Sequence, residues 1–304
     1  LLNLGSIYSR LGRLDEAIAA FQKSIGIMEE TREIQLADTL TAPAWETNWA
    51  YARSGLGQTY LIGERYQEAA DLFGGILEED PSNIEIIGSL ASVLSELGQA
   101  DSVQALYDRL LSGPDLSERD YFNAGVGLYQ IENYERAAEA FEAAARTNPF
   151  SRDARLNLAQ THYAAENWEA IIPAARSLLE VDPRNGLVWI FLTRAYSETG
   201  QDDLANATFA EYSANGFEIE QILLTAHDGG GAEISGQLKN MEDGGLEPGT
   251  AVRIRFHFGG TEGTEGGSVE VTVQAPAPGE LASFRGSFND PVSVTGYSYE
   301  IISP

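Results

Sequence analysis

Apolar and polar residues follow a helical period along most of this chain, and the helical blocks themselves recur. A step of 34 residues from Ala69 reaches Val103, Ala137, Ile171 and Ala205, and the same step from Phe73 reaches Tyr107, Phe141, Ala175 and Phe209. Two more columns run in phase, through Leu56, Leu90, Ala124, Leu158 and Leu192, and through Tyr60, Leu94, Leu128, His162 and Tyr196. Columns kept in register in this way specify a repeat array. Within a copy, Leu56 and Tyr60 are four apart, as are Ala69 and Phe73, so each pair lies on one face of a helix. The polar stretch Gly63-Glu64-Arg65 separates the pairs. Each copy therefore predicts helix, tight turn, helix. Small residues at Gly57, Ala91, Gly125 and Ala159 are expected to let the first helix approach its neighbour. Pro81, Pro149 and Pro183, with Pro114 one residue early, end the copies, because proline cannot continue a helix.

An earlier copy reads Leu4-Gly5, Tyr8, Gly12, Ala17 and Phe21. The step from Ala17 to Ala69 is 18 residues longer than a repeat, which predicts an insertion near 30–47. Six helix pairs are thus expected over 1–216. After Gly216 the period changes from 3.6 to 2. Strands are expected over 218–226, 232–239, 252–258, 268–274, 282–288 and 292–301. The stretch Val252-Arg253-Ile254-Arg255-Phe256-His257-Phe258 alternates apolar with basic or imidazole. His227-Asp228-Gly229-Gly230-Gly231 reads as a hairpin turn. The fold class is multidomain, an all-α solenoid over 1–216 followed by a small all-β antiparallel sandwich over 217–304.

The helical columns resemble the tetratricopeptide repeat (TPR): Leu56-Gly57, Tyr60, Tyr66, Ala69, Phe73 and Pro81 carry the pattern in one copy, and Tyr121, Gly125, Tyr134, Ala137, Phe141 and Pro149 in another. The C-terminal part resembles the FxLYD family of bacterial immunoglobulin-like modules. The resemblance rests on Ile234-Ser235-Gly236-Gln237-Leu238-Lys239-Asn240 and on Pro278-Gly279-Glu280 followed by Ala282 and Phe284. In Phe256-His257-Phe258-Gly259-Gly260 the family's tyrosine-aspartate pair is replaced by two glycines. This second resemblance implies a location outside the bacterial cytoplasm, in the periplasm or cell envelope. Leu1 falls inside the first helix of the first repeat, which leaves room upstream for a signal peptide, lipid anchor or membrane helix.

Composition narrows the function. Acidic residues outnumber basic ones by 46 to 19, a formal charge of −27, which opposes contact with nucleic-acid phosphates and anionic lipid. The acidity is spread over both parts. There is no cysteine, so disulfides, thiolate metal sites and cysteine nucleophiles are excluded. No apolar run approaches a membrane span.

No catalytic constellation is present. His162 falls in an apolar column and reads as a core residue; His227 and His257 are far from it in sequence and make no ligand spacing. The Met241–Gly245 and Thr261–Gly267 loops lack the alternating ligands of a calcium loop. Phosphate-loop, nucleophile-elbow and zinc-protease motifs are missing. No cofactor, metal or catalytic residue is expected.

The TPR resemblance implies a groove lined by the first helices of successive repeats, and a protein partner in it. Its centre is apolar: Phe122, Val126, Tyr129, Leu156, Tyr163 and Ile190. Ser54, Gln58, Ser89 and Arg119 stand where a clamp for the acidic tails of chaperones would begin, so that partner is excluded. The insertion offers a second surface, Trp45 and Trp49, four apart on a helix started by Pro43. They form either a plug over the widened junction or an exposed ridge. The expected function is a non-enzymatic scaffold, an accessory subunit that stabilises or assembles a larger complex, with a membrane-bound energy-transducing complex as one setting. The alternative is an envelope or carbohydrate-binding protein acting through the β-module, where Tyr297 and Tyr299 share a face.

Overall fold

Helical periodicity over the first part and alternation over the second produce, among the described residues, twelve helices followed by six strands. The computed structural model describes residues 1–81, 83–260 and 264–303, with backbone only at Glu265. The chain forms two compact units: Leu1–Pro114 with Gln130–Glu132, and Asp115–Tyr129 with Asn133–Pro304.

The first unit holds three helix pairs, α1 (Leu2–Arg10) with α2 (Leu14–Ala37), α3 (Ala42–Ile62) with α4 (Tyr66–Glu79), and α5 (Ile84–Glu96) with α6 (Ala100–Leu111). The small-residue positions work as the spacing requires. A Cβ on Gly57 would lie 2.4 Å from the Phe73 ring, so only glycine admits that ring at this distance. The insertion adds no separate element. It lengthens α2 to 24 residues and α3 to 21, with the turn between them at 38–41. Pro43 sits in the first turn of α3, where its missing N–H has no helical partner to lose.

The second unit begins with α7 (Glu118–Gln130), α8 (Tyr134–Thr147), α9 (Arg152–Ala164), α10 (Trp168–Val181), α11 (Gly186–Glu198) and α12 (Asp202–Ala214). Asn133, Ser151, Asn167 and Asn185 cap helices by accepting from the N–H three residues on. One chain reversal recurs in both units. Glu64, Gly98, Glu132, Glu166 and Gly200, each 34 residues from the next, all adopt the left-handed conformation, with φ from 52° to 72°.

The columns are the core: Ala137, Phe141, Ile171 and Ala175 are fully buried. Phe209 departs from its column and is 58% exposed. At the equivalent position of the first copy, the Phe21 ring packs on Gly5 of its own repeat and on Gly55 of α3, the first helix of the next. After α12 the chain enters a strand instead, and among the described residues no helix follows to cover Phe209.

The strands are β1 (Phe217–Ala226), β2 (Ala232–Asn240), β3 (Ala251–Gly260), β4 (Glu265–Gln274), β5 (Leu281–Phe288) and β6 (Val294–Ser303). They form two three-stranded antiparallel sheets, β1-β2-β5 and β4-β3-β6. Alternation sorts them as expected: Val252, Ile254, Phe256 and Phe258 are buried inward, while Arg255 on the outer face pairs with Glu270 and Glu300. The two sequence motifs of this module, one beginning at Ile234 and the other at Pro278, are partners. Gly236 lies opposite Phe284, and Asn240 N–H donates to the Glu280 carbonyl at 3.1 Å. The fully buried Asn240 side chain donates to the Leu246 and Pro276 carbonyls, latching two loops to the end of β2.

Candidate interaction face

Within the second unit, α7, α9 and α11 are the first helices of their pairs, and one side-chain row of each carries the apolar residues singled out above. The structure divides that row into packing residues and free ones. Phe122 is half-buried, edge-on to Phe141 at 5.6 Å, and Val126 is half-buried beside it on α7. Tyr163 is engaged on three sides. Its ring stacks on Phe191 at 4.3 Å and meets Trp168 edge-on at 5.6 Å, and its hydroxyl accepts from Arg194 at 2.5 Å. The Arg194 guanidinium also lies over the Trp168 ring at 5.0 Å and pairs with Glu198. Tyr163 therefore holds α9 to α11.

The free apolar residues are Tyr129, 38% exposed and tilted against Tyr134, and Ile190, 52% exposed. Leu187 is exposed one turn before Ile190 on the same face of α11.

The tryptophans of the insertion belong to the first unit. Trp45 is 7% exposed, and its indole N–H donates to the Met28 carbonyl of α2 at 3.3 Å. Trp49 is half-buried, stacks on Trp45 at 5.2 Å and is covered by Arg53, 5.3 Å from its ring. Trp45 is thus no exposed ridge residue: lengthening α2 and α3 together gives its indole a helix to lie on.

A second cluster, unforeseen from sequence, seats the β-module on the repeats within this same unit. Asp182, in the turn between α10 and α11, is fully buried. One carboxylate oxygen accepts from the Tyr299 hydroxyl at 2.7 Å; the other accepts from Arg152 at 2.7 Å and Asn185 at 2.8 Å. Burial acts to lower the Arg152 pKa, but the Asp182 charge and hydrogen bond, together with the nearby Tyr297 and Asp153, outweigh it and raise the value. Around this centre, Tyr297 N–H donates to the Phe150 carbonyl at 3.0 Å and Ile219 N–H to the Arg184 carbonyl at 3.1 Å. The Asn148 amide donates to the Thr295 carbonyl at 3.1 Å. Tyr297 and Tyr299 are consequently buried, and the shared aromatic face noted in the sequence is occupied by the chain itself.

His162 is half-buried, and burial lowers its pKa. No cluster of three or more His, Cys, Asp or Glu able to hold a metal occurs among the described residues. The Met241–Gly245 loop lies among them; Thr261, Glu262 and Gly263 of the other acidic loop lie outside them. Among the described residues no helix is long and apolar enough to cross a membrane.

Paired helices with a 34-residue period and a row of first-helix side chains define a helical repeat protein. Residues 1–30, 60–114 and 122–186 each match a tetratricopeptide repeat family model, so these three stretches carry tetratricopeptide repeats. Superkiller protein 3 of Schizosaccharomyces pombe is 24% identical over 213 residues, 66% of this chain and 15% of that protein. Lipopolysaccharide assembly protein B of Escherichia coli K12 is 24% identical over 165 residues, 50% of this chain and 41% of that protein. This chain spans well under half the length of both. Among solved structures, a tetratricopeptide repeat protein from Parabacteroides merdae is 21% identical, with a TM-score of 0.44, covering 68% of this chain and 75% of that one. MamA is 18% identical, with a TM-score of 0.41, covering 52% and 92%.

Proposed function

We propose that this protein is a non-enzymatic protein–protein interaction scaffold whose partner lies along α7, α9 and α11. The observation that carries the reading is the set of apolar side chains left exposed on those helices, Tyr129, Leu187 and Ile190, while Tyr163 is fixed by Phe191 and Arg194. Apolar and aromatic anchors on a rigid helical face suit the energetic centre of an interface. In the finer form of the proposal, the protein is an accessory subunit that stabilises or assembles a larger complex at a bacterial membrane, outside the cytoplasm. The resemblance of its sandwich to FxLYD modules favours that location. The similarity to a lipopolysaccharide assembly protein of Escherichia coli favours the assembly role.

The competing reading, glycan or envelope binding through the β-module, loses its motive, because Tyr297 and Tyr299 are buried against Asp182, Arg152 and Phe150. The test is affinity capture from native membranes with the wild-type chain and with a Tyr129→Ala, Ile190→Ala variant. A protein partner retained by the first and lost by the second, at equal thermal stability, supports the scaffold. Equal retention by both would remove this face from the interface. Retention of glycan alone would replace the reading.

A further inference from the structure

We infer that the outer edge of β1, beyond its bulge, is a docking site for an extended, carboxylate-bearing segment of a partner protein. This goes beyond the helical face proposed above. Gln221 adopts a left-handed backbone conformation, with φ 52°, and the pairing of β1 with β2 slips between Glu220 and Leu223. A bulge of this kind re-aims the residues that follow it, and Leu223 emerges 61% exposed.

β1 lies at the edge of its sheet, next to β2 alone. Before the bulge its outer edge is covered, since Ile219 N–H donates to the Arg184 carbonyl. The nearby edge of β6 is covered too, by the Phe150 carbonyl at Tyr297 N–H. Both covers come from turns between repeats. After the bulge no such cover exists among the described residues. His227 N–H closes the hairpin on the Gly231 carbonyl at 3.0 Å. Ladder bonds alternate along an antiparallel strand, so Thr225 and Leu223 face β2, while Leu224 and Ala226 turn their N–H and C=O outward. An unpaired edge is a template for an added strand.

A cavity of about 340 Å³ opens beside this edge, walled by Phe122 of α7, Leu223 and Leu224 of β1, and Tyr297 of β6. The other charged side chains at its rim are engaged. Glu118 accepts from the Ser151 hydroxyl at 2.6 Å, Asp153 accepts from Arg152 at 3.2 Å, and Arg152 also holds Asp182. Arg119 is exposed at the same rim and has no partner among the described residues. A free guanidinium beside an apolar cavity and an open strand edge selects a peptide that supplies backbone bonds, an apolar side chain and a carboxylate.

The probes are short synthetic peptides of alternating valine and threonine carrying one glutamate or one lysine, each with a free or an amidated C-terminus. Binding to the full chain is read by fluorescence anisotropy, and protection of residues 222–226 by amide hydrogen exchange. We expect peptides with a carboxylate to bind and to slow exchange at 222–226, and the amidated lysine peptide not to bind. The two termini separate a side-chain carboxylate from a terminal one. Arg119→Glu, on an exposed helix position, should weaken binding about ten-fold or more, a change of about 1.4 kcal/mol or more. Leu224→Pro, which removes an outward N–H, should abolish it; the Arg119 variant decides the matter if that protein fails to fold. Ile190→Ala should leave peptide binding unchanged. Absence of binding by every carboxylate peptide, or binding indifferent to Arg119→Glu, overturns the proposal. Loss with Ile190→Ala alone also overturns it and assigns the peptides to the helical face.

Discussion

The Tyr299 hydroxyl donates to the Asp182 carboxylate at 2.7 Å, across 117 residues of sequence. This bond joins the last strand to the turn between the last two helix pairs. Asp182 is fully buried, so each acceptor position left empty would carry a desolvation penalty. Tyr299→Phe removes one donor and leaves the Arg152 and Asn185 contacts in place. We expect a loss of about 1–3 kcal/mol in unfolding free energy, read by urea titration. A change within error would show that water or a neighbour replaces the hydroxyl.

The same burial predicts a pH dependence. Burial pushes the Tyr299 and Tyr297 hydroxyls well above the ordinary phenol value. A pKa raised on folding means that the unfolded state loses its proton first. Stability from these residues is therefore fully present below about pH 10 and falls as pH rises past it toward the folded-state values. Urea midpoints between pH 8 and about 11.5 should decline at the alkaline end, and less steeply for Tyr299→Phe. An identical slope in the two proteins would dissociate the tyrosine from the alkaline loss.

The repeated left-handed residue yields a prediction about sequence choice. Gly98 and Gly200 take this conformation without a Cβ penalty, whereas Glu64, Glu132 and Glu166 carry one. Glu166→Gly should raise stability by up to about 1 kcal/mol, the steric relief being partly offset by the larger entropy glycine loses on folding. Gly98→Glu should lower it by a similar amount. Opposite signs in guanidinium titrations are the expected result; the same sign for both would show that the turn does not set the cost.

The columns through Ala69 and Phe73, and the alternation of Val252 to Phe258, were legible because each reports one face of one element. The six strands lie close to the positions alternation predicts, for the same reason. The form of the insertion was not legible. Its helical character follows from Pro43 and the paired tryptophans, but whether it stands apart or lengthens α2 and α3 depends on packing between elements. Glu132 and Glu166 look like ordinary surface acids, since a left-handed backbone leaves no mark in a glutamate. Asp182 stands before the repeat-ending Pro183, and nothing local pairs it with Tyr299. On the candidate face, the tetratricopeptide resemblance assigned Tyr129, Tyr163 and Ile190 to the groove side of their helices. Only the neighbours Phe191 and Arg194 reveal that Tyr163 is engaged while Ile190 is free.

Trp45 gives a prediction for the first unit. Its ring is buried against α2 and stacked on Trp49, which Arg53 covers. Trp45→Ala should cost about 3–5 kcal/mol, as expected for a large aromatic removed from a packed site. Trp49→Ala, at a half-buried position, should cost less. Thermal unfolding of both variants checks the order, and equal costs would contradict a buried plug capped by a partly exposed ring.

The last prediction sets two members of one column against each other. Phe141 and Phe209 occupy equivalent positions two repeats apart, and sequence alone gives them the same role. Phe141 is fully buried and sits where a Cβ on Gly125 would lie 2.7 Å from its ring. Phe209 is 58% exposed because β1, not another helix, follows α12. Phe141→Ala removes a packed ring and leaves a cavity, so it should cost about 3–5 kcal/mol. Phe209→Ala removes a ring already in water, so it should fall within about 0.5 kcal/mol of wild type. Guanidinium titrations of the two variants test this directly. A large cost at Phe209 would mean that another part of the chain covers α12 in solution; a small cost at Phe141 would mean that the repeat core relaxes around the loss.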